Sequence, residues 1–169
     1  MSSAGVRAFT ASDVGAANAL TNHFIEHSAV HFAYEPATDA AFHELWTKGA
    51  ADYPWLVADV DGAFVGYAKA SRWRERAAYA RTVETTVYLG PGHHGRGVGR
   101  QLYGSLLDEL CRRGFRTAIG GITLPNDGSV RLHEGLGFRH VGTFRNVGHK
   151  FGRWHDVGFW QIDFEAAAG

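Results

Sequence analysis

Apolar residues at helical spacing predict two helices in the first third of the chain. Between residues 14 and 25 they recur at intervals of three or four, and Ser12 stands before them as a side chain suited to cap a helix. Thr38 can cap a second helix, which Gly49 is expected to end. The apolar stripe of this second helix consists of Phe42, Leu45 and Trp46.

Alternation with a period of two predicts strands in the middle of the chain. Two β-rich runs within residues 54–70 flank Asp61-Gly62, a dipeptide typical of the tight turn of a hairpin. The run 81–89 is the next predicted strand, and its side chains alternate between two faces. One face consists of Val83, Thr85, Val87 and Leu89, and the other of Glu84, Thr86 and Tyr88.

The second half of the chain alternates between helical and β-rich segments. A helix is predicted from Val98 to Arg112 with Cys111 on its apolar stripe, and Gly114 follows it. A strand at 115–123, a short helix at 129–136 and a β-rich stretch at 138–164 come next. The order of elements indicates a mixed α/β fold, and the absence of repeats or linkers favours a single domain over residues 1–169.

Composition narrows the classes of partner and compartment. Seventeen basic and seventeen acidic residues balance, so neither a nucleic acid nor a membrane surface is the expected partner, and a small molecule is favoured. The N-terminal segment lacks the apolar core of a signal peptide, and no apolar run is long enough to span a bilayer. A single cysteine cannot form an internal disulfide, which agrees with a cytoplasmic location.

A glycine-rich segment between the strand 81–89 and the helix at Val98 is the strongest candidate for an anion site. Such a turn offers free backbone N–H groups and the positive end of a helix dipole. The Gly-Lys-Ser/Thr of a P-loop is absent, because Arg100 and Gln101 follow Gly99. A dinucleotide fold is excluded as well, since residues 115–125 lack the acidic residue that it requires.

The segment His94-Gly95-Arg96-Gly97-Val98-Gly99 is similar to the Q/R-x-x-G-x-G/A loop of the GCN5-related N-acetyltransferases (GNAT). The stretch NDGSVRLHEGLGF at 126–138 resembles the second signature of that superfamily. Across about residues 6–164 the chain resembles the phosphinothricin and methionine sulfoximine acetyltransferases, above all in the block GHKFGRWHDVGFWQIDF. Two positions depart from the superfamily pattern: His94 stands where Gln or Arg is common, and His133 where Tyr is usual.

The resemblance implies a mostly antiparallel central sheet that is flanked by helices and splayed at an acetyl-CoA site. It also implies a cytoplasmic homodimer, no metal ion, and direct transfer of an acetyl group to the α-amino group of a small amino acid or analogue. Phosphinothricin, methionine sulfoximine and methionine sulfone are the implied substrates. The residues expected to bind acetyl-CoA are Val87, Tyr88, Leu89, His94, Gly95, Arg96, Gly97, Val98, Gly99, Arg100, Asn126 and Ser129.

Acetyl transfer to an amine needs a proton acceptor, and Glu84 is an acid in the middle of an apolar strand. An internal salt bridge with Arg72, Arg74, Arg76 or Arg81 is the alternative, and the family resemblance favours the base. Acetyl transfer also needs a polarised carbonyl, for which a free backbone N–H near Leu89 is the candidate, with Gly90-Pro91-Gly92 loosening the strand. His133 is predicted to protonate the leaving thiolate, or else to be a histidine satisfied inside the fold.

The run SRWRERAAYAR holds four arginines, and a guanidinium can bind a substrate carboxylate through two hydrogen bonds. A solvated charged face is the alternative, but Arg76 and Tyr79 match substrate-side positions of the family. Packing in the core is the alternative for Phe32, which resembles an aromatic lid residue. The expected substrate-binding residues are Phe32, Arg74, Arg76, Tyr79 and Thr86.

Two other patterns in the sequence resemble functional sites. His23, His27 and His31 recur at helical spacing, but no Cys or Asp nearby completes a metal site, and surface histidines are favoured. Cys111 is expected in the core rather than as a nucleophile. Two further functions stay open: acetylation of protein N-termini, and acyl-CoA sensing without catalysis.

Overall fold

The computed structural model describes residues 4–165, and a mixed sheet organises them. The strands are β1 (Gly5–Ala8), β2 (Trp55–Val60), β3 (Ala63–Arg72), β4 (Thr82–Leu89), β5 (Thr117–Leu124), β6 (Arg139–Lys150) and β7 (Arg153–Asp163). The helices are α1 (Val14–His27), α2 (Asp39–Gly49), α3 (Val98–Arg112) and α4 (Asp127–Gly135). The expected domain spans 1–169, and residues 1–3 and 166–169 lie outside the described part.

The sheet has the order β1-β2-β3-β4-β5-β7-β6, and every neighbouring pair is antiparallel except β4 with β5. The predicted mixed, mostly antiparallel sheet flanked by helices is therefore confirmed. None of the described helices is long and apolar enough to cross a membrane.

Two apolar cores lie on opposite faces of the sheet. On one face, α3 buries Leu102, Leu106 and Leu110 completely against the central strands. On the other face, α1 and α2 cover an aromatic cluster that includes Trp55 and Tyr67. Because side chains alternate along a strand, β4 contributes Val83 to the α3 core and Tyr88 to the aromatic one.

Several local predictions are confirmed. The Thr38 hydroxyl accepts a hydrogen bond from the backbone N–H of Ala41 at 3.1 Å, as expected of a helix cap. Asp61 and Gly62 both have positive φ, 54° and 80°, which is the geometry of a type I′ hairpin turn. Gly114, at φ 82°, follows the end of α3.

Other local predictions are wrong. The cap of the first helical segment is Thr10 rather than Ser12: the Asp13 carboxylate accepts a hydrogen bond from the Thr10 backbone N–H at 2.8 Å, closing a short 3-10 turn before α1. Arg7 of β1, a strand too short for its pattern to predict, holds the same carboxylate at 2.8 Å. The short helix begins at Asp127, two residues earlier than expected, because Asn126 caps it.

Two residues predicted on apolar stripes are exposed. Leu45 is 52% exposed, because α2 packs on the rest of the protein through Phe42 on another side of the helix. Cys111 is exposed as well, since the covered face of the last turn of α3 is taken by Leu110. The spacing of residues shows that a stripe exists but not how wide a face the neighbouring elements cover.

The contrast on α3 between buried leucines and the exposed Cys111 leads to a prediction about stability. Replacing fully buried Leu106 with alanine leaves a cavity and should lower the free energy of unfolding by about 2–5 kcal/mol. Cys111→Ala on the same helix should change it by less than about 0.5 kcal/mol. Urea denaturation of both variants measures the difference, and a large loss in Cys111→Ala would contradict the exposed position of that residue.

Candidate active site

A gap between β4 and β5 forms the main cleft of the protein. The two strands pair only from Thr82↔Thr117 to Glu84↔Ile119 and then diverge, so the backbone groups of β4 that face β5 beyond Glu84 have no strand partner there. The cleft has a volume of about 760 Å³. Its walls come from β4, β5, α4, the loop before α3, and the segment after α1.

The divergence begins at Glu84, well before the Gly90-Pro91-Gly92 turn that was expected to cause it. At this point the Thr85 hydroxyl lies 3.4 Å from the carbonyl of Ile119, the last residue of β5 that pairs with β4. The next residue of β5, Gly120, has the His133 ring against it: a Cβ on Gly120 would lie 2.5 Å from Nε2. The His133 ring of α4 thus packs on β5 where its pairing with β4 stops, whereas the Gly90-Pro91-Gly92 turn lies beyond the end of β4.

The glycine-rich loop closes one end of the cleft at the N-terminus of α3. Gly95 and Gly97 have φ of 73° and 81°, and a Cβ on either would meet nothing within 4 Å. The first N–H groups of α3 have no helical acceptor, so the loop presents backbone donors and a helix dipole to the cleft. This geometry suits a phosphate group.

Most residues predicted to bind acetyl-CoA line this cleft. The structure places there Val87, Tyr88, Leu89, His94, Gly95, Gly97, Gly99, Arg100, Asn126 and Ser129. Arg96 and Val98 are not brought to its surface: Arg96 is exposed elsewhere on the loop, and the Val98 side chain is buried against the α3 core. For Val98, only the backbone is available for binding.

Glu84 lines the same cleft and is half-buried. Burial raises the pKa of its carboxyl, and the positive charge of Lys69 opposes that rise. Lys69, on β3, lies directly across from Thr86 of β4. It is therefore a diagonal neighbour of Glu84 on the same face of the sheet. Its ammonium lies 4.9 Å from the centre of the Trp55 ring, so an aromatic face supports the charge.

The expected alternative for Glu84, a salt bridge with a nearby arginine, is absent from the described residues. Arg72 instead pairs with Glu75 at 2.8 Å, and Arg81 donates to the carbonyl of Gly114 at 2.9 Å. Arg74 lies over the Trp73 ring, 5.1 Å from its centre. The carboxylate of Glu84 therefore faces the cleft without a guanidinium partner.

His133 is buried and has both ring nitrogens engaged. Nδ1 lies 2.8 Å from the carbonyl oxygen of Ser129, which can only accept, so Nδ1 carries the proton. Burial lowers the pKa of His133, and in the neutral ring Nε2 accepts from the Tyr103 hydroxyl at 3.1 Å. Tyr103 in turn lies 2.6 Å from the Thr85 hydroxyl. These bonds favour a histidine satisfied inside the fold over a donor to the leaving thiolate.

The predicted substrate-binding residues fall into two groups. Phe32 and Thr86 line the cleft together with Glu84. Arg74, Arg76 and Tyr79 line a separate, open cavity of about 620 Å³ in the segment between β3 and β4. Arg72, which also lines that cavity, pairs with Val83 one position beyond Ser71↔Glu84, so the second cavity begins beside the Glu84 end of the cleft.

Sequence reasoning missed two charged or polar groups in this region. Lys69 stands within an apolar strand pattern, and only the pairing of β3 with β4 places it beside Glu84. His31, considered only as a metal ligand, lines the cleft, and its pKa is lowered by burial and by the charges of Lys69 and Lys150. His23 and His27 instead stack on the surface of α1, and no group of potential metal ligands is found within residues 4–165.

Comparison with known proteins agrees with this geometry. Residues 18–138 match the acetyltransferase (GNAT) family. The chain is 47% identical over 163 residues to a phosphinothricin N-acetyltransferase of Streptomyces viridochromogenes, covering 96% of this chain and 89% of the relative. It is 35% identical to an L-methionine sulfoximine/L-methionine sulfone acetyltransferase of Salmonella typhimurium, covering 92% of each.

A solved structure shows the same architecture. The phosphinothricin acetyltransferase of Sinorhizobium meliloti, determined in complex with acetyl-CoA, superposes with a TM-score of 0.90 at 32% identity, covering 95% of this chain and 88% of the other. With the family match spanning most of the sequence, the chain belongs to the GNAT family of acetyltransferases.

Proposed function

We propose that this protein transfers an acetyl group from acetyl-CoA to the α-amino group of a small amino acid or analogue, directly within a ternary complex. Phosphinothricin, methionine sulfoximine and methionine sulfone are the proposed substrates, in agreement with the names of the relatives. The observation that carries the proposal is the gap between β4 and β5, which has a phosphate-binding loop at one end and an unpaired carboxylate at the other.

The cleft suits acetyl-CoA at three positions along its length. Free N–H groups at Gly97, Gly99 and Arg100 would hold the pyrophosphate, and the unpaired edge of β4 would bind the pantetheine amides as a strand would. A backbone N–H near Leu89 would polarise the thioester carbonyl. Asn126 and Ser129 lie on the opposite wall, at the N-terminus of α4.

Glu84 is the proposed general base. The amine must lose a proton to become a nucleophile, and a half-buried carboxylate with a raised pKa is a better proton acceptor than an exposed one. Lys69 opposes the rise of the Glu84 pKa and so favours the ionised form of the carboxylate. Whether Glu84 takes the proton directly or through a water molecule does not change this assignment.

The amino-acid substrate is proposed to lie between the two cavities. Thr86 and Phe32 would contact it at the Glu84 end of the cleft. Its carboxylate or anionic side chain would then reach the guanidinium groups of Arg74 and Arg76, beside Tyr79, in the neighbouring cavity. The charges favour this arrangement, since neither Arg74 nor Arg76 forms an ion pair with a carboxylate within the described residues, and both are available for one anion.

A homodimer is the proposed assembly, supported by an apolar surface on the β6–β7 hairpin. The edge strand β6 is twelve residues long, and an uncovered edge of this length invites pairing with another chain. More than half of each of five large apolar side chains on or between these strands is exposed, namely Val141, Phe144, Val147, Phe151 and Trp154. A second copy of the chain would cover this surface.

Release of CoA thiol tests the proposed function. Acetyl-CoA is offered with the three proposed substrates, the common amino acids and a peptide with a free N-terminus. Turnover with the small amino acids but not with the peptide is expected. Turnover with the peptide alone would favour acetylation of protein N-termini, and acetyl-CoA binding with no turnover would favour a sensing domain.

Gly97→Ala should weaken acetyl-CoA binding about tenfold or more, because its Cβ would enter the space where the backbone approaches the pyrophosphate. Gly92→Ala is the matched control, since Gly92 has a similar φ of 85° and open surroundings but does not line the cleft. Both variants should lose similar stability through backbone strain. Equal acetyl-CoA affinity of the two variants, measured by calorimetry, would remove the loop from the site.

Glu84→Gln should lower turnover by about 10²-fold or more while acetyl-CoA affinity stays unchanged. In the wild type, turnover should fall as pH drops through the raised pKa of Glu84, since only the carboxylate accepts a proton. Lys69→Met removes the charge that opposes this rise, so the acid limb should move to higher pH.

The control for the pH profile is Lys48→Met, which removes an exposed lysine paired with Glu44 on α2. Its profile should match the wild type. If the acid limb of the pH profile persists in Glu84→Gln, that limb belongs to the substrate amine. Full turnover in this variant would contradict the assignment of Glu84 as the base.

Sedimentation should give a mass near twice 18.5 kDa. Phe144→Lys places a charge on the exposed hairpin surface and should shift the protein to the monomer. Leu45→Lys is the control, because Leu45 is similarly exposed but lies on α2. A monomeric wild type would contradict the dimer.

A further inference from the structure

Lys150, the last residue of β6, is buried without a carboxylate partner within the described residues. It is 3% exposed, and its ammonium donates to three backbone carbonyls, those of Ile25 at 2.6 Å, Ser28 at 2.9 Å and His31 at 2.7 Å. A lysine has three N–H donors, so this arrangement uses all of them. Buried lysines are rare unless such partners are present.

The three acceptors belong to the C-terminus of α1 and the segment that follows it. Ile25 lies in the last turn of α1, where carbonyls lack helical partners and a positive charge is favourable. Residues 28–38 form neither helix nor strand, so no regular backbone ladder holds them. Their position therefore depends on contacts such as those of Lys150.

The two residues before Lys150 contact the same segment. The Tyr34 hydroxyl donates to the carbonyl of His149 at 2.6 Å. The Phe32 ring lies against Gly148 so closely that a Cβ on this glycine would be 2.3 Å from two ring carbons. Three consecutive residues of β6 thus fasten the segment to the sheet.

The fastened segment is a wall of the cleft. Val30, His31 and Phe32 line it beside Glu84, while the acetyl-CoA loop at 94–100 lies at its other end. Lys150 does not itself line the cleft. Any influence on the reaction must therefore pass through the backbone that it holds.

We propose that Lys150 is a positioning residue for the amino-acid substrate. By binding three carbonyls around the C-terminus of α1, it holds Val30, His31 and Phe32 at the Glu84 end of the cleft, here called the amine end because the substrate amine would lie there. The inference rests on the proposed function for its kinetic consequence. An ammonium suits the task because its donors point in three directions from one atom, whereas a guanidinium is planar. Loss of Lys150 affects binding of the amino acid and leaves binding of acetyl-CoA unchanged.

Lys150→Met keeps the length of the side chain and removes every donor. The KM of the amino acid should rise about tenfold or more, because a displaced wall no longer orients the amine, while the Kd of acetyl-CoA stays within about twofold of the wild type. Lys150→Gln retains an NH₂ group for two carbonyls and should raise KM less. Arg81→Met is the control, because it removes another cation-to-carbonyl contact, to Gly114, and neither residue lines the cleft, so KM should stay unchanged.

Amide hydrogen exchange separates this proposal from the proposed function. In Lys150→Met, amides of residues 28–34 should exchange faster while those of α3 and β5 keep their protection. Absence of turnover in the wild type would overturn the proposed function alone, and faster exchange at 28–34 would still support the role of Lys150 in holding the wall. Unchanged exchange, an unchanged KM in a folded variant, or failure of both Lys150 variants to fold would overturn the positioning role.

Discussion

The interrupted pairing of β4 with β5 is the constraint on which the functional surface depends. Backbone N–H and C=O groups inside a sheet normally bond to the next strand, and beyond Glu84 those of β4 that face β5 are left for a ligand. The strand can remain extended because its other edge is fully paired with β3 from Val83 to Leu89. On the far side, β5 is likewise held by β7 along its whole length. The gap is thus an opening between two strands that are each paired along their other edge.

Packing on the two faces of the sheet keeps this opening in place. On the α3 face, Tyr103 connects Thr85 of β4 to His133 of α4 through short hydrogen bonds, and the His133 ring occupies the space beside Gly120. Burial raises the pKa of Tyr103 and lowers that of His133, so it favours the neutral form of both groups. These contacts account for a buried histidine without assigning it a proton transfer.

The face of the sheet opposite α3 carries ionisable side chains of the cleft. Glu84, Lys69 and His31 lie at the amine end of the cleft, above the aromatic cluster of Trp55, Tyr67 and Tyr88. Because this region is partly buried, each charge is weakly screened and changes the ionisation of its neighbours. An irregular segment forms the outer wall here, whereas the acetyl-CoA end is formed by a helix terminus and two strands. The amine end is therefore the part of the cleft whose shape depends most on individual side-chain contacts.

Local patterns in the sequence predicted most of the elements, the hairpin turn at Asp61-Gly62, the glycine loop before α3, and the face of β4 that carries Glu84. These features depend on residue spacing and on backbone preferences within a few positions, which a sequence displays directly. The resemblance of the loop and of the segment 126–138 to GNAT signatures then indicated the family.

Tertiary structure alone decided which strand lies beside which, and with it the position of Lys69 opposite Thr86. It also decided that Arg74 and Arg76 lie apart from the main cleft and that Lys150 is buried under α1. It also decided that Leu45 and Cys111 face solvent. The physical reason is that burial, pKa and side-chain partners are set by residues distant in sequence, and a periodic pattern contains no information about which of them arrive.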